Sequence, residues 1–319
     1  MRGWIGIAVL AAWATAACGG GGHGSTAVRG PAPGFDPVGI AFSSPSDGVA
    51  VGGGTIATTS DGGRTWTTRR RGRRPLAAVT IAPAGTAYAT IGRCSETCPG
   101  AGGLLASTDG GRTWAVRSRQ AVYRPSFATP ADGWALAAEG GTTGLALTHD
   151  GGRRWAPLPD PCPRAVPVAV AALTARSAEL VCASGNAATN MESKAVLRTR
   201  DAGRSWRTLA VAAPPGAPPA GVGAHGLPAV GVMPGMTMLP GGRGWLWADR
   251  GRLAATSDGV SWHTVTRAFQ PDVDVVRSVD FLDGRTGYAL DWRDGATRLL
   301  RSDDGGRTWT AVHAWRPRL

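Results

Sequence analysis

TSDGGRTW, Thr59 to Trp66, decides the fold of this 319-residue chain, because the string does not occur once. It returns as STDGGRTW at Ser107 to Trp114, THDGGRRW at Thr148 to Trp155, TRDAGRSW at Thr199 to Trp206 and SDDGGRTW at Ser302 to Trp309. A copy one residue shorter, TSDGVSW, runs from Thr256 to Trp262. Successive Trp residues lie 48, 41, 51, 56 and 47 positions apart, the near-constant interval of a repeat architecture.

Each string reads as a tight β-hairpin turn. The carboxylates of Asp61, Asp109, Asp150, Asp201, Asp258 and Asp304 can accept hydrogen bonds from turn N–H groups, and the adjoining Gly supplies positive φ. The Trp that follows (Trp66, Trp114, Trp155, Trp206, Trp262, Trp309) opens the return strand and offers a large ring for burial against a neighbouring unit. Upstream, an apolar strand, a Gly-containing turn and a second strand recur: VGIAF then GVAVG, RPSF then GWALA, SVDF then GYALD. Four short strands in about 48 residues, repeated six times, predict an all-β, six-bladed β-propeller of four-stranded repeats. A seventh blade requires a unit lacking the string, and the 56-residue interval is the place with slack.

These strings resemble the Asp-box, or bacterial neuraminidase repeat. With their upstream strands they look like the propellers related to the photosystem II assembly factor and to the sortilin ectodomain. The resemblance implies a propeller whose partner is a protein or peptide engaged through its top-face loops. It does not imply photosynthesis, since the repeat serves many other proteins. It also admits a sialidase-like glycoside hydrolase, which would need three Arg on a carboxylate, a Tyr nucleophile with a Glu, and an Asp acid. The Tyr are Tyr88, Tyr123 and Tyr288; the Glu are Glu96, Glu139, Glu179 and Glu192. Tyr88 and Tyr288 hold the second-strand position of Val49, Trp134 and Trp245, a blade-packing place, while Tyr123 begins YRPSF, a faint echo of the sequence that opens sialidase domains. Asp272 and Asp274 form the most notable acidic doublet, read as an exposed strand or inter-blade loop. Neither catalytic residues nor a cofactor are expected.

The N-terminus sets the compartment. An apolar run from Trp4 to Ala17 has the length of a signal-peptide core, and Thr15-Ala16-Ala17-Cys18 resembles a lipobox with Cys18 acylated. Residues 1–18 then form the leader, 19–34 a Gly/Pro tether, 35–315 the propeller and 316–319 a tail. The expected place is an exported lipoprotein at the cell envelope, or a secreted protein if an ordinary signal is cleaved. Four further Cys suit disulfides in an oxidising compartment, with Cys94–Cys98 and Cys162–Cys182 the simplest of three connectivities. Cys94 and Cys98 lack a second ligand pair for a metal. His23, His149, His225, His263 and His313 stand in no metal motif.

Composition narrows the rest. With 48 Gly and 23 Pro the chain is turn-rich, while 13 Trp and 43% hydrophobic residues require a folded core. The net charge of +12 comes from Arg with Lys194 as the lone Lys, and the Arg are scattered, as a GC-rich genome produces. A monomer without a nucleic-acid partner is expected. One dense run, Arg69, Arg70, Arg71, Arg73 and Arg74, is a candidate anion-binding segment, for lipid headgroups among others, or a solvated connection. The Pro/Gly-rich interval before the short repeat, with Met233, Met236 and Met238, could arch over one face. The function these readings add up to is a non-catalytic binding or assembly module for an envelope or membrane protein or peptide.

Overall fold

Each repeat folds into one antiparallel sheet whose four strands follow in chain order. Blade 1 is built from Gly39–Phe42, Gly48–Gly52, Thr55–Thr59 and Thr67–Arg71. Five more blades repeat the plan, giving a six-bladed β-propeller. The structure is a computed structural model describing residues 28–29, 34–92, 102–139, 142–162, 164–186, 191–212, 226–228, 231–232, 234–249, 252–265, 269 and 274–316. Cys18, Cys94, Cys98, Glu96, Asp272, Met233, His23 and His225 lie outside the described residues, with the leader and most of the tether. Val28 and Arg29, within the tether stretch, pair with Thr68 and Thr67 and cover part of the outer edge of blade 1.

Burial follows strand rank. The second strands Gly48–Gly52 and Ala87–Ile91 are buried at every position, which is why they read as unbroken runs of small and apolar residues: both faces meet a neighbouring blade. Outermost strands such as Ala115–Ser118 are mostly open to solvent. The innermost strands are Gly39–Phe42, Leu76–Ile81, Val122–Phe127, Val166–Ala172, Gly235–Met238 and Val275–Phe281. Four of them carry a register shift near their start, between Leu76 and Ala78, Tyr123 and Ser126, Pro167 and Ala169, and Val276 and Ser278. An extra residue there increases the twist that splays a blade outward from the axis.

Aromatic residues hold blade to blade. Tyr88 stacks on Phe127 at 4.2 Å, Trp245 on Phe281 at 3.6 Å and Tyr288 on Phe42 at 3.6 Å, each pair joining the second strand of one blade to the first strand of the next. The polar tips are also used: Tyr88 Oη donates to Gly151 O at 3.1 Å, Trp245 Nε1 to Gly305 O at 3.0 Å and Tyr288 Oη to Pro45 O at 2.7 Å. Each sheet comes from contiguous chain, so the ring closes through side chains rather than a shared blade. The closure joins Phe42 to Tyr288, Trp315 to Phe35 and Trp66, and the Phe42 N–H to Asp280 Oδ2 at 2.7 Å.

Candidate functional site: the channel and the face opposite the repeat turns

The six repeat turns lie on one face of the ring, between third and fourth strands. In the first, Asp61 Oδ1 accepts from Thr59 Oγ1 at 2.8 Å and from Thr65 N at 2.9 Å, and Asp61 Oδ2 accepts from Thr65 Oγ1 at 2.6 Å. Thr59 Oγ1 in turn accepts from Gly63 N at 2.9 Å, and Gly62 and Gly63 take φ values of 74° and 90° that favour Gly. Asp109, Asp150, Asp201, Asp258 and Asp304 are bound in the same manner. Hydrogen bonds from the Thr308 and Ser302 side chains and from turn N–H groups draw Asp304 down to about 2, and those from Ser205 and Thr199 do the same for Asp201. Carboxylates saturated in this way fasten turns.

The Trp of each repeat packs against the preceding blade. Trp66, Trp155 and Trp262 are buried, and Trp114, Trp206 and Trp309 are half-buried. Trp66, Trp114, Trp155 and Trp309 donate Nε1 to a Gly carbonyl of their own turn.

The channel runs between the innermost strands as a cavity of about 170 Å³. Its wall is built largely of small residues, among them Gly39, Ala41, Ala78, Ala169, Ala171 and Gly235, with Arg124, Arg277 and Asp280 as charged exceptions. Adjacent innermost strands do not pair with one another, and side chains supply the missing acceptors. Ser126 Oγ accepts from Ala172 N at 3.0 Å, Ser278 Oγ from Ile40 N at 3.4 Å, and Asp280 Oδ2 from Phe42 N. Burial raises Asp280 to about 6, against the pull of the Phe42 N–H. Arg124, at φ 48° in the bulge before Pro125, donates Nη1 to Val168 O at 2.7 Å and to Pro234 O at 2.9 Å, linking blades 3, 4 and 5; burial lowers its pKa.

The Tyr hydroxyls are occupied elsewhere. Tyr88 and Tyr288 serve blade packing, and Tyr123 is buried with its hydroxyl on Thr143 Oγ1 at 2.9 Å. Glu179 pairs with Arg198, and Glu192 lies 3.6 Å from Lys194. Among the described residues no Tyr pairs with a Glu.

On the face opposite the turns, charged side chains cluster around the channel mouth. Arg277 Nη1 donates to Asp36 Oδ1 at 2.6 Å, Thr297 Oγ1 at 2.9 Å and Pro37 O at 3.1 Å, bracing the start of blade 1 against blade 6. Arg298 forks onto Asp291, whose pKa burial raises despite that pair. The expectation for Asp274 is corrected: it is fully buried, not on an exposed loop, because Arg293 Nε at 3.3 Å and Arg298 Nη2 at 3.7 Å neutralise it there. Lys194 is buried too, with Nζ on Gly231 O at 2.7 Å, and so anchors the far end of the Pro/Gly-rich interval to blade 4. Burial lowers its pKa, while Glu192 and Asp249 oppose this.

The Arg run is divided by the strand it sits on. Arg69 lies in a bulge with Nε on Thr58 Oγ1 at 2.8 Å, Arg70 approaches Gly72, and Arg74 leans toward Gly102. Arg71, Arg73 and Arg74 are exposed on the face opposite the turns. Large apolar residues open to solvent there are Val166 (42%) and Trp292 (36%). The Cys162–Cys182 disulfide forms and joins the approach to blade 4 to its second strand.

Arg277 escaped sequence reasoning because its partner Asp36 lies 241 positions away. Asp280 did carry a signal: it precedes Phe281 as Ala41 precedes Phe42 and Ser126 precedes Phe127, a carboxylate where other blades have small residues.

No family model and no curated protein matches the chain. Among solved structures, YCF48 from Cyanidioschyzon merolae is similar at 17% identity and a TM-score of 0.50, covering 89% of this chain and 87% of that one. A chain of the nidogen–laminin complex is similar at 13% identity and a TM-score of 0.57, covering 84% and 92%. The Penicillium chrysogenum α-L-arabinanase bound to arabinobiose is similar at 14% identity and a TM-score of 0.54, covering 90% and 97%. At these identities the likeness is one of fold.

Proposed function

We propose that this chain is an exported, Cys18-lipidated propeller that holds an envelope protein or peptide on the face opposite its repeat turns. The observation that carries the reading is the chemical asymmetry of the two faces. The repeat carboxylates on the turn face are consumed by their own turns, whereas the other face exposes Trp292 and Val166 as well as Arg71 and Arg73, which have no ion-pair partner among the described residues. Exposed Trp and Arg side chains on one face are the composition of a protein-binding surface. The occurrence of a similar fold in the nidogen–laminin complex supports a protein partner, and the Cys162–Cys182 bridge supports an oxidising compartment.

The test is site-specific photocrosslinking in cells, with the reactive residue at position 292 or 166, and at Arg64 on the turn face as control. One protein should be captured from 292 and 166 and not from 64. Capture from 64 alone would refute the assignment of the face. For the anchor, labelled fatty acid should enter the parent and not Cys18→Ala.

A further inference from the structure

The short repeat opens a second place of interest, on the outer rim where blade 4 meets blade 5. In four full-length repeats the Arg after the Gly pair donates Nη1 to the carbonyl of its own Asp: Arg64 to Asp61, Arg112 to Asp109, Arg153 to Asp150 and Arg307 to Asp304. TSDGVSW has no such Arg. Instead Arg198 of blade 4 reaches across and donates Nη2 to Asp258 O at 3.1 Å. Behind it stands Glu179, fully buried at the place other blades give to Tyr88, Trp134, Trp245 or Tyr288. Its Oε1 takes the Arg198 guanidinium, and its Oε2 has no hydrogen-bond partner among the described residues.

These two departures leave a groove of about 410 Å³, lined by Arg198, Arg200, Arg207, Trp206, Leu209 and Val260, with Ser205 at its edge. Arg198 and Arg207 face each other directly across adjacent strands, an arrangement that costs stability between like charges. Arg200, two residues beyond Arg198, lines the same cavity. Glu179 can balance one of the three guanidinium groups. Arg200 and Arg207 are exposed and have no ion-pair partner among the described residues. The Trp206 ring stands edge-on to Trp134 at 6.1 Å, and its buried Nε1 lacks the turn carbonyl that four other repeat Trp residues use.

We infer that this groove is a binding site for an oxyanion-bearing small ligand, a phosphoryl, sulfate or carboxylate head with an apolar body. Arg200 and Arg207 take the head in fork-like pairs, with Arg198 held in place by Glu179, and Trp206, Leu209 and Val260 receive the body. The excess positive charge that is a liability in the empty groove becomes the source of affinity once an anion is held by Arg200 and Arg207. The site is remote from the partner-binding face and does not depend on it.

Calorimetric titration of the full chain at 0.15 M NaCl tests this. The probes are phenyl phosphate, phenyl sulfate and benzoate, which share a body and differ in head, with inorganic phosphate carrying the head alone. At least one aryl anion should bind in the millimolar range or tighter, and at least fivefold more tightly than inorganic phosphate. Arg200→Gln/Arg207→Gln should weaken it at least tenfold, while Arg71→Gln/Arg73→Gln should leave it within twofold. Both pairs are exposed, so thermal melts should coincide with the parent. No binding of any aryl anion, or equal binding by the Arg200/Arg207 double variant, overturns the proposal. Equal weakening by the two double variants overturns it too, since that would mean attraction by net charge.

Discussion

Replacing Asp280 by Asn should change how stability depends on pH, and by an amount the channel geometry sets. Asp280 is half-buried in the channel wall, where its Oδ2 meets the Phe42 N–H across the seam that closes the ring. Burial raises its pKa from 3.8 to about 6. A raised carboxyl favours folding when protonated, so its contribution is fully present below 3.8 and is lost as pH rises through about 6. Two pH units at ~1.4 kcal/mol each make the difference roughly 3 kcal/mol between pH 4 and pH 8. Asn keeps an acceptor for Phe42 and cannot ionise, so Asp280→Asn is neutral to slightly destabilising at pH 4 and stabilising by roughly 2–3 kcal/mol at pH 8. Urea unfolding of both proteins at pH 4, 5, 6, 7 and 8 measures this. Groups common to both cancel in the difference, and equal m-values show that the same surface is exposed. A difference that stays flat across that range, or that runs the opposite way, refutes the assignment of Asp280 as a carboxylate destabilised by burial.

Three further outcomes can be checked on the same material. Asp109→Ala removes the acceptor of Ser107 Oγ, Arg112 N, Thr113 N and Thr113 Oγ1, and should cost roughly 2–3 kcal/mol in urea unfolding at pH 7. Tyr288→Phe keeps the stack on Phe42 and loses the bond to Pro45 O, so it should cost about 1 kcal/mol, whereas Tyr288→Ala should cost about 3–5 kcal/mol. Breaking Cys162–Cys182, which spans 20 positions, should cost about 3 kcal/mol, read as a lower unfolding midpoint in reductant or in the double Ser variant.

The blade count was legible because the repeat string acts locally. Asp61 closes its turn on residues no more than four positions away, so composition and spacing suffice to read it. The role of Tyr88 and Tyr288 was legible by alignment of repeats, since a position that holds Val49 in one blade and Trp134 in another is a packing position. Arg277 was illegible for the opposite reason. Its meaning depends on Asp36, which ring closure brings beside it from the other end of the propeller. Asp274 misled because an acidic doublet between blades reads as an exposed strand or loop, whereas Arg293 and Arg298, from the strands of blade 6, help to make its burial tolerable.

A repeat protein also gives its own internal control, and that control points to the blade 4–5 seam. Where turn and aromatic follow the common pattern, as between blades 6 and 1, an aromatic stack and a hydroxyl bond join neighbours. At blades 4–5 the aromatic becomes Glu179, the turn loses a residue, and a guanidinium from one blade replaces the missing turn Arg of the next. Those changes fit together, because the fully buried Glu179 needs the Arg198 guanidinium and Asp258 O needs Arg198 once its own Arg is gone. Mutual compensation explains why the seam holds. It does not explain Arg200 and Arg207, whose side chains have no ion-pair partner among the described residues and raise the local charge beside Arg198. Positions that break a local rule without repairing the structure are where a ligand is the missing part.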